Sequence, residues 1–271
     1  MRAFFRFFSY LFAAGMTLAA GAAPAGAEAE APRLAPGTRI VCPGKYRGHL
    51  QGLATDGRAI YWSLTYDIVK TDFEGKLLAQ TKVPHHGGDP CWKNGRLYVP
   101  VCGSGFNRKP RPGFVPENHV YVFDADLKLL AKHHLPETVH GAGGMAEKDG
   151  HFFVVGGRPA GWTGNTVYEY DGDFRPVRRR EVDFDSNMGI QTINHTGGRW
   201  YLGCYGTGGV TIETDEEFRV LRRVRPGTSV GMIPLADGLI LVGKTVLKDP
   251  KARRRAAALV KRFTPAEPAK K

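Results

Sequence analysis

The sequence has few cysteines, and they are not spaced as a metal or redox motif. Four cysteines occur in 271 residues and no two form C-x-x-C, which argues against a structural zinc or thiol redox site. In an oxidising compartment four cysteines allow three full disulfide pairings, and the sequence does not choose between them. The residues concerned are Cys42, Cys91, Cys102 and Cys204.

Long apolar runs are also lacking, except at the N-terminus. There Arg2 and Arg6 precede an apolar stretch at 7–20, and the small residues 25–27 end it. This order is typical of a secretory signal peptide, which we assign to residues 1–27. No later stretch is long enough to cross a bilayer. The mature chain is therefore predicted to be secreted or periplasmic, without a membrane span.

Acidic residues are outnumbered. The chain has 38 Lys and Arg against 26 Asp and Glu, a formal net charge of +12, and much of the excess follows Lys244. Such a charge favours anionic partners. No recognition motif or series of stacking aromatic residues accompanies it, so we predict no specific nucleic-acid partner.

The sequence is rich in one repeated hairpin. Its first copy, HLQGLATDGRAIYW at 49–62, places Asp56-Gly57 between two apolar strands. Asp-Gly in this setting favours a tight hairpin turn, because glycine accepts a positive φ. The pattern recurs with turn glycines about 40 to 55 residues apart, a period typical of radial repeats. These glycines are Gly57, Gly95, Gly150, Gly198 and Gly238.

A second repeat marks the outer part of each unit. An acidic turn, such as DFEGKLL at Asp72 or DEEFRVL at Asp215, follows an alternating strand. Each unit then has four antiparallel strands, and five such units predict an all-β fold, a β-propeller of five four-stranded blades. A two-sheet sandwich is the alternative, but it predicts no repeated internal order.

The fifth unit has no outer strand of its own, and the short strand at 38–41 has no turn partner. We predict that this N-terminal strand completes the fifth blade and closes the ring, which protects the sheet edges. The resulting organisation is a signal peptide (1–27), a flexible leader (28–36), one propeller domain (37–264) and a disordered basic tail (265–271).

Polar residues lead four of the five inner strands, seven to ten residues before the turn glycine. Because strand starts meet around the axis of a propeller, we expect these side chains at one height over the channel. Three imidazoles and one carboxamide suit a divalent metal such as Mn, Zn, Fe or Ca. Alternatively, they only hydrogen-bond to each other, to water and to the backbone. They are His49, His86, His140 and Gln191.

The same rim is predicted to be cationic. Long insertions at 103–118 and 247–255 rise beside the starts of the inner strands, and insertions on a rigid scaffold often carry function. A cationic mouth favours an anionic glycan or another anionic small molecule. The candidate substrate-binding residues on this rim are Arg108, Lys109 and Arg111, and the second strands end near Tyr66, Arg158, Tyr205 and Lys244.

The His-led inner strands, with HLQG at 49–52 and GIQ at 189–191, resemble secreted β-propeller polysaccharide lyases of the oligogalacturonate lyase type. In that family three His and one Gln hold a divalent metal at the hub. The resemblance implies the same role for His49, His86, His140 and Gln191, with Gln51 as a substitute ligand or a substrate contact.

A lyase would need three further groups. Arg158 or Arg108 would neutralise the substrate carboxylate together with the metal, and Tyr205, Tyr66 or Lys244 would act as the base. The enzymatic role stays open, because a non-catalytic propeller could bind an anionic glycan or a partner protein through the same rim.

Two other enzyme classes fit less well. A glycoside hydrolase requires two opposed carboxylates, and only Asp67 and Asp89 are candidates for them. A lactonase-type calcium site also requires carboxylate ligands.

Overall fold

The computed structural model describes residues 29–104, 107, 109, 111–205, 208–246 and 255–266. The predicted signal peptide, Arg108, most of the second insertion and the last five residues lie outside this part of the chain. Twenty-two strands in the described residues form five antiparallel sheets, and one 3₁₀ turn spans Ala236–Gly238. No helix among them is long and apolar enough to cross a bilayer.

Each sheet is one blade, and its innermost strand lies at the axis of the ring. From the axis outward, blade 1 contains β2 (Leu50–Thr55), β3 (Ile60–Leu64), β4 (Asp67–Thr71) and β5 (Leu77–Lys82). Blade 2 has a divided inner strand, β6 (His86–Gly87) and β7 (Cys91–Lys93), then β8 (Arg96–Cys102), β9 (Asn118–Phe123) and β10 (Leu129–His134). Blade 3 contains β11 (Gly144–Lys148), β12 (His151–Val155), β13 (Asn165–Tyr170) and β14 (Pro176–Val182).

The last two blades each include a strand from one end of the chain. Blade 4 contains β15 (Ile190–Thr196), β16 (Arg199–Cys204), β17 (Thr211–Thr214) and β18 (Val220–Arg225), with β22 (Thr264–Pro265) added at its edge. Blade 5 contains β19 (Met232–Pro234), β20 (Leu239–Val246), β21 (Arg255–Arg262) and β1 (Arg39–Val41).

The five inner strands form a closed ring. Strand β2 contacts β7, and the contacts continue through β11 and β15 to β19, which contacts β2 again. Strand β1 pairs antiparallel with β21, with Arg39 opposite Leu259 and Val41 opposite Ala257. The predicted five-bladed β-propeller, closed by the N-terminal strand, is therefore confirmed, and the two-sheet sandwich is excluded.

The acidic turns have a local cause. In blade 4 the Asp215 carboxylate oxygen Oδ1 accepts hydrogen bonds from the backbone N–H groups of Glu217 and Arg219, both at 2.9 Å. Asp72, Asp124 and Asp171 accept the equivalent pair in blades 1 to 3. Short carboxylate side chains that bond to nearby N–H groups favour turns over strand continuation, which explains why this motif marks the outer hairpins of these blades.

The apolar core lies between neighbouring blades. Trp200 of blade 4, only 1% exposed, packs against Phe153 of blade 3 with ring centroids 4.6 Å apart, and stacks on Phe218 at 5.0 Å. Burial of large aromatic side chains removes much apolar surface from water. Neighbouring sheets therefore share apolar cores, and each contributes to the burial of the next.

Residues near both chain ends, next to the predicted domain boundaries, contact the propeller. Ala31 and Leu34, in the predicted flexible leader, pack against the core of blades 1 and 5. Pro265 belongs to β22, and the N–H of Ala266 donates to the carbonyl of Arg223 at 2.9 Å. The boundaries differ because these residues cover core side chains and pair with the outer edge of blade 4. The four cysteines are thiols, and no disulfide joins any two of them.

A buried carboxyl group joins the blades across the axis. Asp89 follows β6 and is 1% exposed. Its Oδ1 accepts the N–H of Leu53 in blade 1 at 3.0 Å, and its carboxyl group also accepts the N–H of Ile193 in blade 4. The Asp89 backbone donates to Gly143 and accepts from Met145 of blade 3. Burial raises the pKa of Asp89 well above its ordinary value, although both N–H bonds oppose the shift.

Close approach at the axis also explains a glycine. A Cβ on Gly52 would lie 2.2 Å from the Asp89 Cα atom, closer than nonbonded atoms approach. Only glycine at position 52 lets the two inner strands meet at this distance.

We predict that Asp89→Ala destabilises the protein by about 2 to 5 kcal/mol, because two buried N–H groups lose their acceptor. Asp89→Asn should cost less, since its amide oxygen can still accept one of them. Urea unfolding followed by tryptophan fluorescence measures the change. Asp173→Ala, at an exposed turn, is the control and should stay within about 0.5 kcal/mol of wild type. Equal stability of Asp89→Ala and the control would contradict the structural role.

Candidate functional site

Two of the predicted metal ligands lie together where blades 1 and 2 begin. The ring centroids of His49 and His86 are 6.2 Å apart, with their planes at 74°. The side-chain nitrogen of Gln51 lies between them, 3.1 Å from both ring nitrogens of His49 and from Nε2 of His86. His49 Nδ1 is 2.9 Å from the carbonyl of Leu50. An N–H at Nδ1 would donate there and leave Nε2 as the acceptor.

The arrangement suits neutral imidazoles. An amide NH₂ carries two protons, so Gln51 can donate to one nitrogen of each ring. Burial lowers the pKa of His86, and the nearby charge of His49 lowers it further. The His86 ring is therefore neutral near pH 7, which is the form that accepts a hydrogen bond or binds a metal. The Gln51 nitrogen thus lies within hydrogen-bond distance of both rings.

An aromatic ring lies beside this pair. Tyr205 follows β16 of blade 4, and its ring centroid is 6.4 Å from that of His49 with an interplanar angle of 72°. The ring closure thus places a blade 4 residue against a blade 1 residue. We call His49, Gln51, His86 and Tyr205 the hub group.

His140 lies in a different environment, on blade 3. It is 8% exposed, and its ring makes an edge contact with Trp162 at 4.8 Å between centroids. Both residues line a cavity of about 650 Å³, which we call the blade 3 cavity. Arg158, Tyr168 and Arg179 also line it. Arg158 is half-buried, and its Nη1 atom lies 3.2 Å from an Asp185 carboxylate that is almost fully exposed.

The first insertion holds this cavity in place. The backbone N–H of Asn107 donates to the carbonyl of His140 at 3.1 Å. The Asn107 side-chain oxygen accepts the backbone N–H of Arg158 at 2.9 Å. Asn107 has a positive φ of 57°, which asparagine tolerates better than most residues. A loop of blade 2 therefore positions two predicted site residues of blade 3.

The remaining predicted site residues have separate surroundings. Gln191 is buried and donates to the carbonyl of Met188 at 2.9 Å. The ring of Tyr66 faces the Arg47 guanidinium group at 5.1 Å. Lys244 is exposed in β20, and Lys109 and Arg111 are exposed in the first insertion. Arg108 lies outside the described residues.

The two candidate hydrolase carboxylates have structural partners. Asp67 accepts a hydrogen bond from Gln80 at 3.0 Å, and Asp89 accepts the backbone N–H groups that join blades 1 and 4 at the axis. Neither arrangement gives the two opposed carboxylates that a glycoside hydrolase requires.

The structure therefore groups only part of the predicted site. His49, His86 and Gln51 meet, with Tyr205 beside them, whereas His140 faces Trp162. In the described part of the chain, the ligand atoms of His49, His86 and His140 do not all lie within 4.8 Å of one another. Metal binding by the predicted set of four stays a prediction.

Sequence reasoning did not single out Trp162 or Asn107. Trp162 is 41% exposed in a short segment, GWTGN, bounded by two glycines at positive φ. An exposed tryptophan between two glycines was the available signal for the cavity. Asn107 had no comparable signal, because its role depends on a contact between blades.

No protein-family model and no curated protein matches this sequence. Among solved structures, the chain is similar to the computationally designed Ika4 protein (12% identity, 65% of this chain and 96% of that chain, TM-score 0.39). It is also similar to a protein of unknown function from Bacteroides caccae (13%, 80% and 86%, TM-score 0.48). A third similar structure is the Neurospora crassa Pan2 WD40 domain (8%, 80% and 66%, TM-score 0.46).

We predict that, in metal-free protein, the His86 imidazole titrates below the ordinary histidine pKa of about 6.5. In His49→Gln the pKa of His86 should rise towards that value, because the neighbouring positive charge is removed while burial remains. Nitrogen-detected NMR titration of the imidazole rings measures both values. Burial lowers the pKa of His133, on the outer strand of blade 2, and this pKa should be the same in both proteins, which makes His133 the internal control. A pKa of His86 that is unchanged in His49→Gln would show that the two rings are not coupled.

Proposed function

We propose that this chain is a propeller that binds an acidic carbohydrate, or a related small anion, on the face where its inner strands begin. The observation that carries the proposal is the blade 3 cavity. It places an exposed indole, an imidazole and a guanidinium group around a space of about 650 Å³. Ligand pockets typically enclose roughly 300–1,000 Å³.

The cavity offers the two contacts that an acidic sugar uses. The exposed face of Trp162 can pack against the apolar side of a pyranose ring. Arg158 can bind a carboxylate through two parallel hydrogen bonds. Its present partner, Asp185, is 89% exposed, so the ion pair is weak and a ligand carboxylate can replace it. Arg179 also lines the cavity, but it is paired with the Glu181 carboxylate at 2.7 Å, and Asp183 lines the same wall, so Arg158 is the positive charge on which the proposal relies.

The hub group supports a divalent metal as part of this proposal. His49 and His86 lie on either side of Gln51, and imidazole nitrogens suit Zn, Mn or Fe better than Mg, whereas Ca is the weakest fit because it prefers oxygen ligands. His49 and His86 would hold the ion. Bound there, the metal would supply positive charge for a substrate carboxylate.

We expect Trp162→Ala and Arg158→Gln each to weaken binding of an oligouronate about ten- to hundredfold. A charge-assisted hydrogen bond contributes about 1.5–3 kcal/mol, and each 1.4 kcal/mol is about tenfold in affinity. Isothermal titration with oligogalacturonate, and with the uncharged oligosaccharide of the same length, measures the effect.

Arg175→Gln is the matched control. This arginine is 74% exposed at the outer turn of the same blade and pairs with Asp173. The Arg175→Gln variant should bind the oligouronate with the same affinity as the wild type. The proposal fails if the charged and uncharged sugars bind equally, or if the two cavity variants bind like the control.

A second candidate function is a carbon–oxygen lyase acting on an acidic glycan. The specific observation that favours it is Tyr205, whose ring lies beside His49 in the hub group. In β-elimination a base removes the proton next to the carboxylate. A carbon–carbon double bond forms as the carbon–oxygen bond breaks, and the leaving oxygen takes a proton. Neutralising the carboxylate makes that first proton more acidic, and Tyr205 is the candidate base.

For the lyase, we expect the purified protein with added Mn, Zn or Ca to release products that absorb as unsaturated uronates. Tyr205→Phe should abolish the absorbance while oligouronate binding persists. Tyr201→Phe, whose ring stacks on Phe263 with centroids 4.7 Å apart, is the control and should stay active. Binding without any unsaturated product, across several uronic-acid polymers, would remove the lyase and leave the binding function.

A further inference from the structure

We propose that Glu117, His119 and His134 form a zinc site on the outer edge of blade 2, separate from the hub group. Each residue offers one ligand atom, and the three atoms lie within 4.8 Å of one another. They form the only such group of three His, Cys, Asp or Glu residues in the described part of the chain.

The sheet brings these residues together. His119 in β9 lies directly opposite His134 in β10, and their rings stack with centroids 4.9 Å apart. Glu117 precedes His119 by two residues, so the alternation of an extended chain places both side chains on one face. Opposite positions on adjacent antiparallel strands are close enough for both imidazoles to reach one ion.

One imidazole is already oriented as a ligand. His134 Nε2 lies 2.7 Å from the carbonyl of Pro116, so the ring donates a proton there and its other nitrogen carries the lone pair. Metal-binding histidines usually donate their second N–H to a carbonyl or carboxylate, which fixes the ring. The strand pair supplies this second contact before any ion binds.

The three side chains can adjust around an ion. Glu117 and His134 are exposed and His119 is partly buried, so their movement does not require the apolar core to repack. Zinc bonds of about 2.0–2.1 Å place tetrahedral ligand atoms roughly 3.3 Å apart, a modest adjustment for partly exposed side chains. Two imidazoles and a carboxylate, with water at the fourth position, is a donor set that zinc commonly uses.

A metal ion at this site would also restrain the first insertion, residues 103–118. The N–H of Glu117 donates to the Ser104 hydroxyl at 2.9 Å, and its carbonyl accepts the N–H of Gly103 at 3.0 Å. Glu117 thus joins the two ends of the loop that carries Asn107. A metal at Glu117 would connect this loop to the edge strand β10.

Calorimetric titration of the metal-free protein with zinc tests the proposal. We expect that each of the variants His119→Asn, His134→Asn and Glu117→Gln lowers the affinity for one bound zinc ion by about tenfold or more. Even the loss of a residue that only hydrogen-bonds to a metal ligand typically lowers metal affinity ten- to hundredfold. His133→Asn is the matched control. His133 is the neighbouring histidine on the opposite face of β10, where it stacks on Phe174. This variant should bind the same zinc ion with unchanged affinity.

A second measurement separates this site from the hub group. Zinc should shift the ring NMR signals of His119 and His134 but not those of His133, and it should do so in the His49→Asn/His86→Asn variant as well. Unshifted signals of His119 and His134 would overturn the proposal. Loss of every zinc equivalent in the hub variant would overturn it too, and would assign zinc to the hub alone.

Discussion

The Asp89 carboxyl group is the contact on which the rest of the ring depends. Sitting in blade 2, it accepts backbone N–H groups from blades 1 and 4, while its own backbone bonds to blade 3. Asp89 and Gly144 form an isolated parallel bridge between blades 2 and 3, and the N–H groups of Leu53 and Ile193 take the Asp89 carboxyl group as their acceptor. A buried carboxyl group is costly to desolvate, but at this position it provides an acceptor for two blades at once.

This contact also constrains the candidate site. The hub group lies where β2 and β6 begin, and Asp89 follows β6 by two residues. The same inner strands are thus fixed by the axis contact and carry the imidazoles at their starts. His49 and His86 lie together because Asp89 connects their strands further along the chain, through its bond to the Leu53 N–H. A functional arrangement on rigid strand ends is easier to maintain than one on free loops.

The architecture could largely be predicted from the sequence, because the turn motifs that define it act over a few neighbouring residues. Gly57 at φ 82° in the hairpin turn and Asp215 in the outer turn act within a few residues of themselves, and a repeated local signal defines a blade. The closing strand was predictable for a related reason, since one unit lacked an outer strand. The contacts of the chain ends could not be predicted from the sequence, because they depend on which core surface remains uncovered when the ring closes.

The site was predictable only in part, for the opposite reason. Equivalent strand positions place His140 and Gln191 at the right height, yet side-chain direction follows from neighbours. His140 turns towards Trp162, which lies in a loop of its own blade, and Gln191 towards the carbonyl of Met188. The cross-strand neighbours His119 and His134 depend on the register of β9 and β10, which an irregularity between Leu129 and Ala131 shifts. Repetition predicts backbone placement, and individual contacts decide the chemistry.

The pairing of β1 with β21 has a consequence for how the protein forms. The partners Arg39 and Leu259 stand near opposite ends of the described chain, so the first strand to leave the ribosome waits for one of the last. Contacts between such distant segments carry a large loop-closure entropy and slow folding. Until that pairing forms, the fifth blade lacks its outer strand and the nascent ring stays open.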